Sequence, residues 1–188
     1  MIYTEATPNP ATLKFVVNRA IFPNDYYEFE DVEETEHAPM ARGLFGIDAV
    51  KTVFISNNFV TITKSDDKMW IELMPEIKDF MKEFLAEGNP VFTEQFTKTG
   101  RKASNEIRDE DSDVEVRIKG ALDKYVKPAV EMDGGAISFV SFDDGKLTLA
   151  LQGACSGCPS STVTLKQGIE NLMLRMVPEV REVVAESE

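Results

Sequence analysis

Apolar positions along this chain alternate in some stretches and recur at helical spacing in others, and a polar tract divides them into two blocks. In the first block, residues 3–6 and 13–17 are rich in β-favouring side chains. Thr7-Pro8-Asn9-Pro10 interrupts them, so the pattern predicts strand, turn, strand. Tyr26-Tyr27-Glu28-Phe29-Glu30 alternates aromatic and acidic, which predicts a half-exposed strand with an acidic outer face. A short helix is expected over 39–45, with Pro39 in its first turn. Residues 50–55 and 59–63 flank Ser56-Asn57-Asn58 and read as a hairpin, because asparagine tolerates the left-handed conformations of tight turns. Trp70, Leu73, Ile77, Phe80, Met81 and Phe84 then recur three and four residues apart, one face of a helix that covers the sheet. Pro75 either kinks that helix or marks the start of its main part.

The second block opens with a helix from about Val114, on which Ile118, Leu122, Tyr125, Val126, Ala129 and Val130 are expected to share a face. Gly134 and Gly135 supply its stop. Residues 136–142 and 146–152 read as two strands joined by Asp143-Asp144-Gly145, a strong hairpin signal. A Gly/Ser/Pro-rich bend follows, and then a helix lined by Leu165, Ile169, Leu172, Met173 and Met176. Pro178 stops it, with room for a final strand over 180–184. Between the blocks, residues 91–112 carry mixed charge and little apolar periodicity, the composition of a linker. The pattern therefore predicts an α+β chain of two small α/β-layer domains, at 1–90 and 113–188, joined by a linker at 91–112. The second domain is a helix, a hairpin, a cysteine loop and a helix.

Charge narrows the partners. The chain of 188 residues carries 33 acidic against 20 basic side chains, net −13, a field that repels phosphate backbones and argues against nucleic acid. Much of the excess lies in Glu28, Glu30, Asp31, Glu33, Glu34 and Glu36, a solvated edge or a surface for a basic partner. No apolar run approaches the ~18 residues that cross a bilayer, so no membrane is expected. The first residues show neither a basic start followed by an apolar block nor an Arg/Ser-rich amphipathic stretch, which predicts a cytosolic protein. No nucleophile with a nearby base, Gly-rich phosphate loop or paired acid set stands out, so no enzyme is expected and no catalytic residue is named.

The chemistry lies in the bend. Cys155-Ser156-Gly157-Cys158 holds both cysteines of the chain, at a spacing that lets two thiolates close on one metal or cluster edge. Pro159, Ser160 and Ser161 suit a helix start whose positive end favours the Cys158 thiolate. Structural zinc and the common iron–sulfur clusters usually take four protein ligands, yet the chain offers two cysteines and one histidine, His37, read as a surface side chain. Two chains complete a four-thiolate site, and a site shared in that way is expected to be exposed and easily broken. Two other readings stand beside this one, while two buried, inert cysteines are not expected, because the Gly, Ser and Pro around them offer little apolar cover. C-x-x-C also serves thiol–disulfide redox proteins, although here the pair lies late in the chain and proline follows its second cysteine. The same four sulfurs also suit a structural zinc joining two chains.

With these residues read, the chain resembles the Nfu family of iron–sulfur cluster carriers. The likeness rests on Met132-Asp133-Gly134-Gly135, on the run from Leu151 through Cys155 and Cys158 to Lys166, and on residues 168–170 and 178–180. In the first domain it rests on Thr7-Pro8-Asn9-Pro10, Thr12-Leu13-Lys14-Phe15 and residues 50–63. The resemblance implies that Cys155 and Cys158 of each of two subunits bridge a [4Fe–4S] cluster. It also implies a homodimer when loaded, an upstream scaffold that donates the cluster, and apo iron–sulfur proteins as clients. Two departures stand out. Ala136 follows the Gly-Gly pair where an acidic residue is common, a change expected at the surface near the cluster, and Ala38 stands where serine often precedes the proline, a weaker helix cap.

Overall fold

The computed structural model describes residues 1–97, 105–155 and 159–187. It divides into two units, Met1–Thr99 and Gly100–Glu188.

In the first unit the strands are β1 (Ile2–Ala6), β2 (Thr12–Val17), β3 (Phe22–Phe29), β4 (Val50–Asn57) and β5 (Phe59–Lys64). They form an antiparallel sheet ordered β1-β2-β5-β4-β3. Helix α1 (Pro39–Phe45) and helix α2 (Trp70–Ala86) supply the other half of the core. Phe15, Phe29, Val53, Ile55 and Ile62 of the sheet cluster with Met40 and Leu44 of α1 and with Leu73, Ile77 and Met81 of α2, each side chain at most 1% exposed. The expected hairpin is present: Ser56 pairs with Phe59 across Asn57-Asn58, and Asn57 takes φ +33°. Pro75 lies inside α2. The helix begins five residues earlier because the Met69 N–H donates to the Glu72 carboxylate at 3.1 Å. Ala38, at the cap position of α1, makes no side-chain cap bond and is fully buried, so the apolar residue serves the core where a serine would serve the helix end.

The tract expected as a linker is largely claimed by its neighbours. Val91, Phe92 and Phe96 pack on the first core; the Phe92 ring lies 4.3 Å from both Phe22 and Phe96, and the Thr93 N–H donates to the His37 carbonyl. Beyond residues 98–104, the chain joins the second unit at Asn105. The Asn105 side-chain amide donates to the Ile137 carbonyl at 3.0 Å, and its oxygen accepts the Phe139 N–H at 2.8 Å. Lys119, 3% exposed, donates to both Asp111 oxygens and to the Glu106 carbonyl. These are contacts of single polar and aromatic groups, which leave no periodicity to read.

The second unit runs α3 (Asp113–Ala121), one wide turn over Leu122–Val126, α4 (Lys127–Met132), β6 (Gly135–Asp143), β7 (Lys146–Gly153), α5 (Pro159–Met176) and β8 (Glu182–Ser187). Strand β7 pairs antiparallel with β6 and parallel with β8, so the last three elements make a β-α-β crossover. The final strand, expected over 180–184, forms two to three residues later. Asp144 at φ +41° and Gly145 at φ +85° make the β6–β7 turn as their types demand. The wide turn has a physical cause. Pro128 has no N–H to give Lys124, and its ring would meet that carbonyl; the Lys127 N–H reaches back five residues to Leu122. Ile118, Leu122, Val126 and Val130 are at most 5% exposed, but Tyr125, expected on the same face, is 46% exposed, and Ala129 also faces solvent.

Candidate functional site

The site is built where β7 ends against the start of β6. Gly153, paired with Gly135, takes φ +69° and turns the chain out of the sheet. The next N–H, of Ala154, donates to the Gly134 carbonyl at 3.2 Å, which pins the turn to the end of α4. Cys155 follows at once. A Cβ built on Gly135 would stand 2.8 Å from Cys155 Sγ and 2.6 Å from the Gln152 carbonyl oxygen, so the cysteine occupies the space that a side chain at 135 would fill.

The two glycines therefore do different work. Gly134, at φ +85°, is the expected helix stop; Gly135 is a seat for the thiol. The Gly-Gly pair announces the stop in the sequence but not the seat. The available signal is that one glycine ends a helix and the second stands at the first position of a strand, where glycine weakens pairing unless another group needs its space.

Cys155 is 6% exposed and belongs to the apolar cluster of its unit. For this cysteine, the burial is at odds with the exposure expected of a shared site. The residues beside it in sequence are small, and it packs against Gly135 at the start of β6 and within the apolar cluster of its unit. Ala136 is only 4% exposed and pairs with Gln152, so the departure there lies inside the sheet and not on the surface. Cys158 lies outside the described residues, as does the expected effect of the helix end on its thiol. Helix α5 starts at Pro159, as the capping residues predict. His37 belongs to the first unit and is half-buried. Among the described residues no three or more His, Cys, Asp or Glu side chains gather as a metal site, and no helix is long and apolar enough to cross a membrane.

Residues 2–88 match the family model of the scaffold protein Nfu/NifU N terminal, and residues 118–184 match that of the NifU-like domain. The chain is 40% identical over 187 residues to NifU-like protein 4, mitochondrial, of Arabidopsis thaliana, covering 98% of this chain and 65% of that protein. It is 39% identical over 180 residues to the NFU1 iron-sulfur cluster scaffold homolog, mitochondrial, of Homo sapiens, covering 95% of this chain and 69% of that protein. The chain thus spans about two thirds of the length of these relatives. A solution structure of a NifU-like protein from Saccharomyces cerevisiae is 26% identical, with a TM-score of 0.46, over 50% of this chain and 86% of that one. The relatives are named as mitochondrial, which overturns the cytosolic placement expected from the first residues. That expectation rests on the composition of the first residues alone.

Proposed function

Because the chain belongs to the Nfu/NifU scaffold family, we propose that it is an iron–sulfur cluster carrier in which Cys155 and Cys158 of two copies hold one [4Fe–4S] cluster between them. The observation that carries this reading is the seat under Cys155. It seats one thiol of the pair against the end of a sheet, in a chain whose two cysteines are half of the usual donor set. The cluster arrives from an upstream scaffold. It leaves for an apo-protein by ligand exchange: each client thiolate that binds an iron releases one cysteine of the carrier, which takes up the proton the client thiol gave. The first unit, with its acidic 28–36 run and sheet edge, docks the client. No step needs an enzymatic residue.

Anaerobic reconstitution, with iron, sulfide and native mass measured on one sample, tests the proposal. One cluster per two chains is expected, and Cys155→Ser or Cys158→Ser is expected to abolish stable loading while both units stay folded. Loaded protein that is monomeric, or that never accepts iron and sulfide, ends the reading. Colourless protein with tightly held zinc would support the zinc-joined dimer, and catalytic turnover of a dithiol by cluster-free protein would support the redox reading.

A further inference from the structure

The helical run from Lys124 to Met132 is apolar on two faces. Val126 and Val130 point into the core at 5% and 1% exposure, while Tyr125 and Met132 stand 46% and 75% exposed, with the exposed Pro128 and Ala129 between them. Positions 125, 128, 129 and 132 follow three- and four-residue spacing, so they form one stripe of uncharged residues on the outside of the helix, with the Lys124 ammonium 5.1 Å from the Tyr125 ring centre at its start. The stripe leads to the cysteine turn: two residues past Met132, the Gly134 carbonyl accepts the Ala154 N–H, directly before Cys155.

We propose that this stripe, Tyr125-Pro128-Ala129-Met132, is the contact by which a second copy of the chain docks beside the cysteine turn; the proposal rests on the cluster-sharing reading above. Two arguments select a second copy as the occupant. Sharing one cluster brings the two cysteine turns to a common twofold axis, and with the stripes laid along that axis each residue meets its own copy. In such a contact any charged residue meets a like charge, and these four positions carry none. The rest of the surface disfavours the approach, because each copy brings a net charge of −13. An uncharged stripe that continues into the ligand turn is where two such chains can meet.

The test places charges at position 129, in the middle of the stripe and outside the ligand turn. Ala129→Glu and Ala129→Lys, each in the full chain, are expected to melt like the wild type without cluster. Each alone is expected to weaken the loaded dimer by about tenfold or more, because like charges face each other. Mixed in equal amounts and reconstituted together, the two variants are expected to recover loading as a Glu/Lys heterodimer, read by native mass. If position 129 does not tolerate a charge in the unloaded fold, the Met132→Glu and Met132→Lys pair, at a more exposed position, gives the same readout. Wild-type-like dimers from each single variant overturn the inference and leave the carrier reading intact. So does a mixture no better than its components, or an intact loaded dimer that only delivers more slowly to a client. A wild-type chain that accepts no cluster overturns both.

Discussion

Gly135 admits Cys155 by having no side chain: a Cβ there would stand 2.8 Å from the sulfur and 2.6 Å from the Gln152 carbonyl oxygen. One of the two contacts is with backbone and cannot be relieved by a rotamer change, so the turn that carries the cysteine has to shift. Gly135→Ala is expected to cost about 1–3 kcal/mol of stability in the second unit and to lower cluster loading of the protein that remains folded. Gly134→Ala, which strains a φ of +85° away from the sulfur, is expected to cost about 1 kcal/mol and to load nearly as the wild type. Chemical denaturation and iron content measured on both variants separate seat from stop; equal loading at 134 and 135 removes the seat.

A buried charge pair makes the second unit sensitive to acid. The Lys119 ammonium, bonded to Asp111, and next the Arg108 backbone N–H hold the Asp111 carboxyl below its ordinary value of 3.8. A lowered folded value means that the unfolded chain takes up the proton first. The stabilisation is therefore complete above the ordinary value and is lost as the pH falls through the lower one. The denaturation midpoint of the second unit should drop in that window. Asp111→Asn should start lower at neutral pH, with its gap to the wild type closing below 3.8. A gap that stays constant down to about pH 2 would show that the pair does not titrate with folding.

Two glycines mark positions where stability can be raised. Gly120 in α3 and Gly168 in α5 each leave open space, with no atom beyond the local helix backbone within 4 Å of the point a Cβ would occupy, and neither has a positive φ. Gly120→Ala and Gly168→Ala are each expected to add about 0.5–1 kcal/mol by helix propensity alone. Thermal melts check this, and a loss of stability at either site would overturn it.

The legible parts of this fold are those in which one residue type states one backbone or burial requirement. Leu73, Ile77 and Met81 mark the buried side of α2 by spacing, and Asn57 and Asp144-Gly145 mark turns by the conformations they tolerate. Three features escape for separate reasons. Tyr125 and Ala129 are apolar and near the core spacing, but solvent-facing, around a turn widened ahead of Pro128. Asn105 imitates a neighbouring strand with one side chain, which no pattern announces. Cys155 is covered by a residue twenty positions earlier, so its own small neighbours suggest exposure.

The same contacts decide where the chain can be cut. A first fragment ending at residue 90 loses Val91, Phe92 and Phe96, and with them the aromatic cover over Phe22, Tyr27 and Phe29. One ending at 97 keeps it. The shorter piece is expected to be less stable by about 2–4 kcal/mol, the scale of two half-buried phenylalanines, and to bind a hydrophobic dye more strongly. At the other boundary, a fragment starting at 113 removes Asp111 and the Glu106 carbonyl and leaves the Lys119 ammonium buried without these partners, while losing the Asn105 amide from Ile137 and Phe139. One starting at 105 retains all of them. Melting the four fragments side by side checks both boundaries at once. The 105–188 piece should unfold cooperatively and take up iron and sulfide, and the 113–188 piece should be much less stable; equal melting within one pair means that its part of the tract contributes no packing, and equal melting within both means that 91–112 is a linker after all.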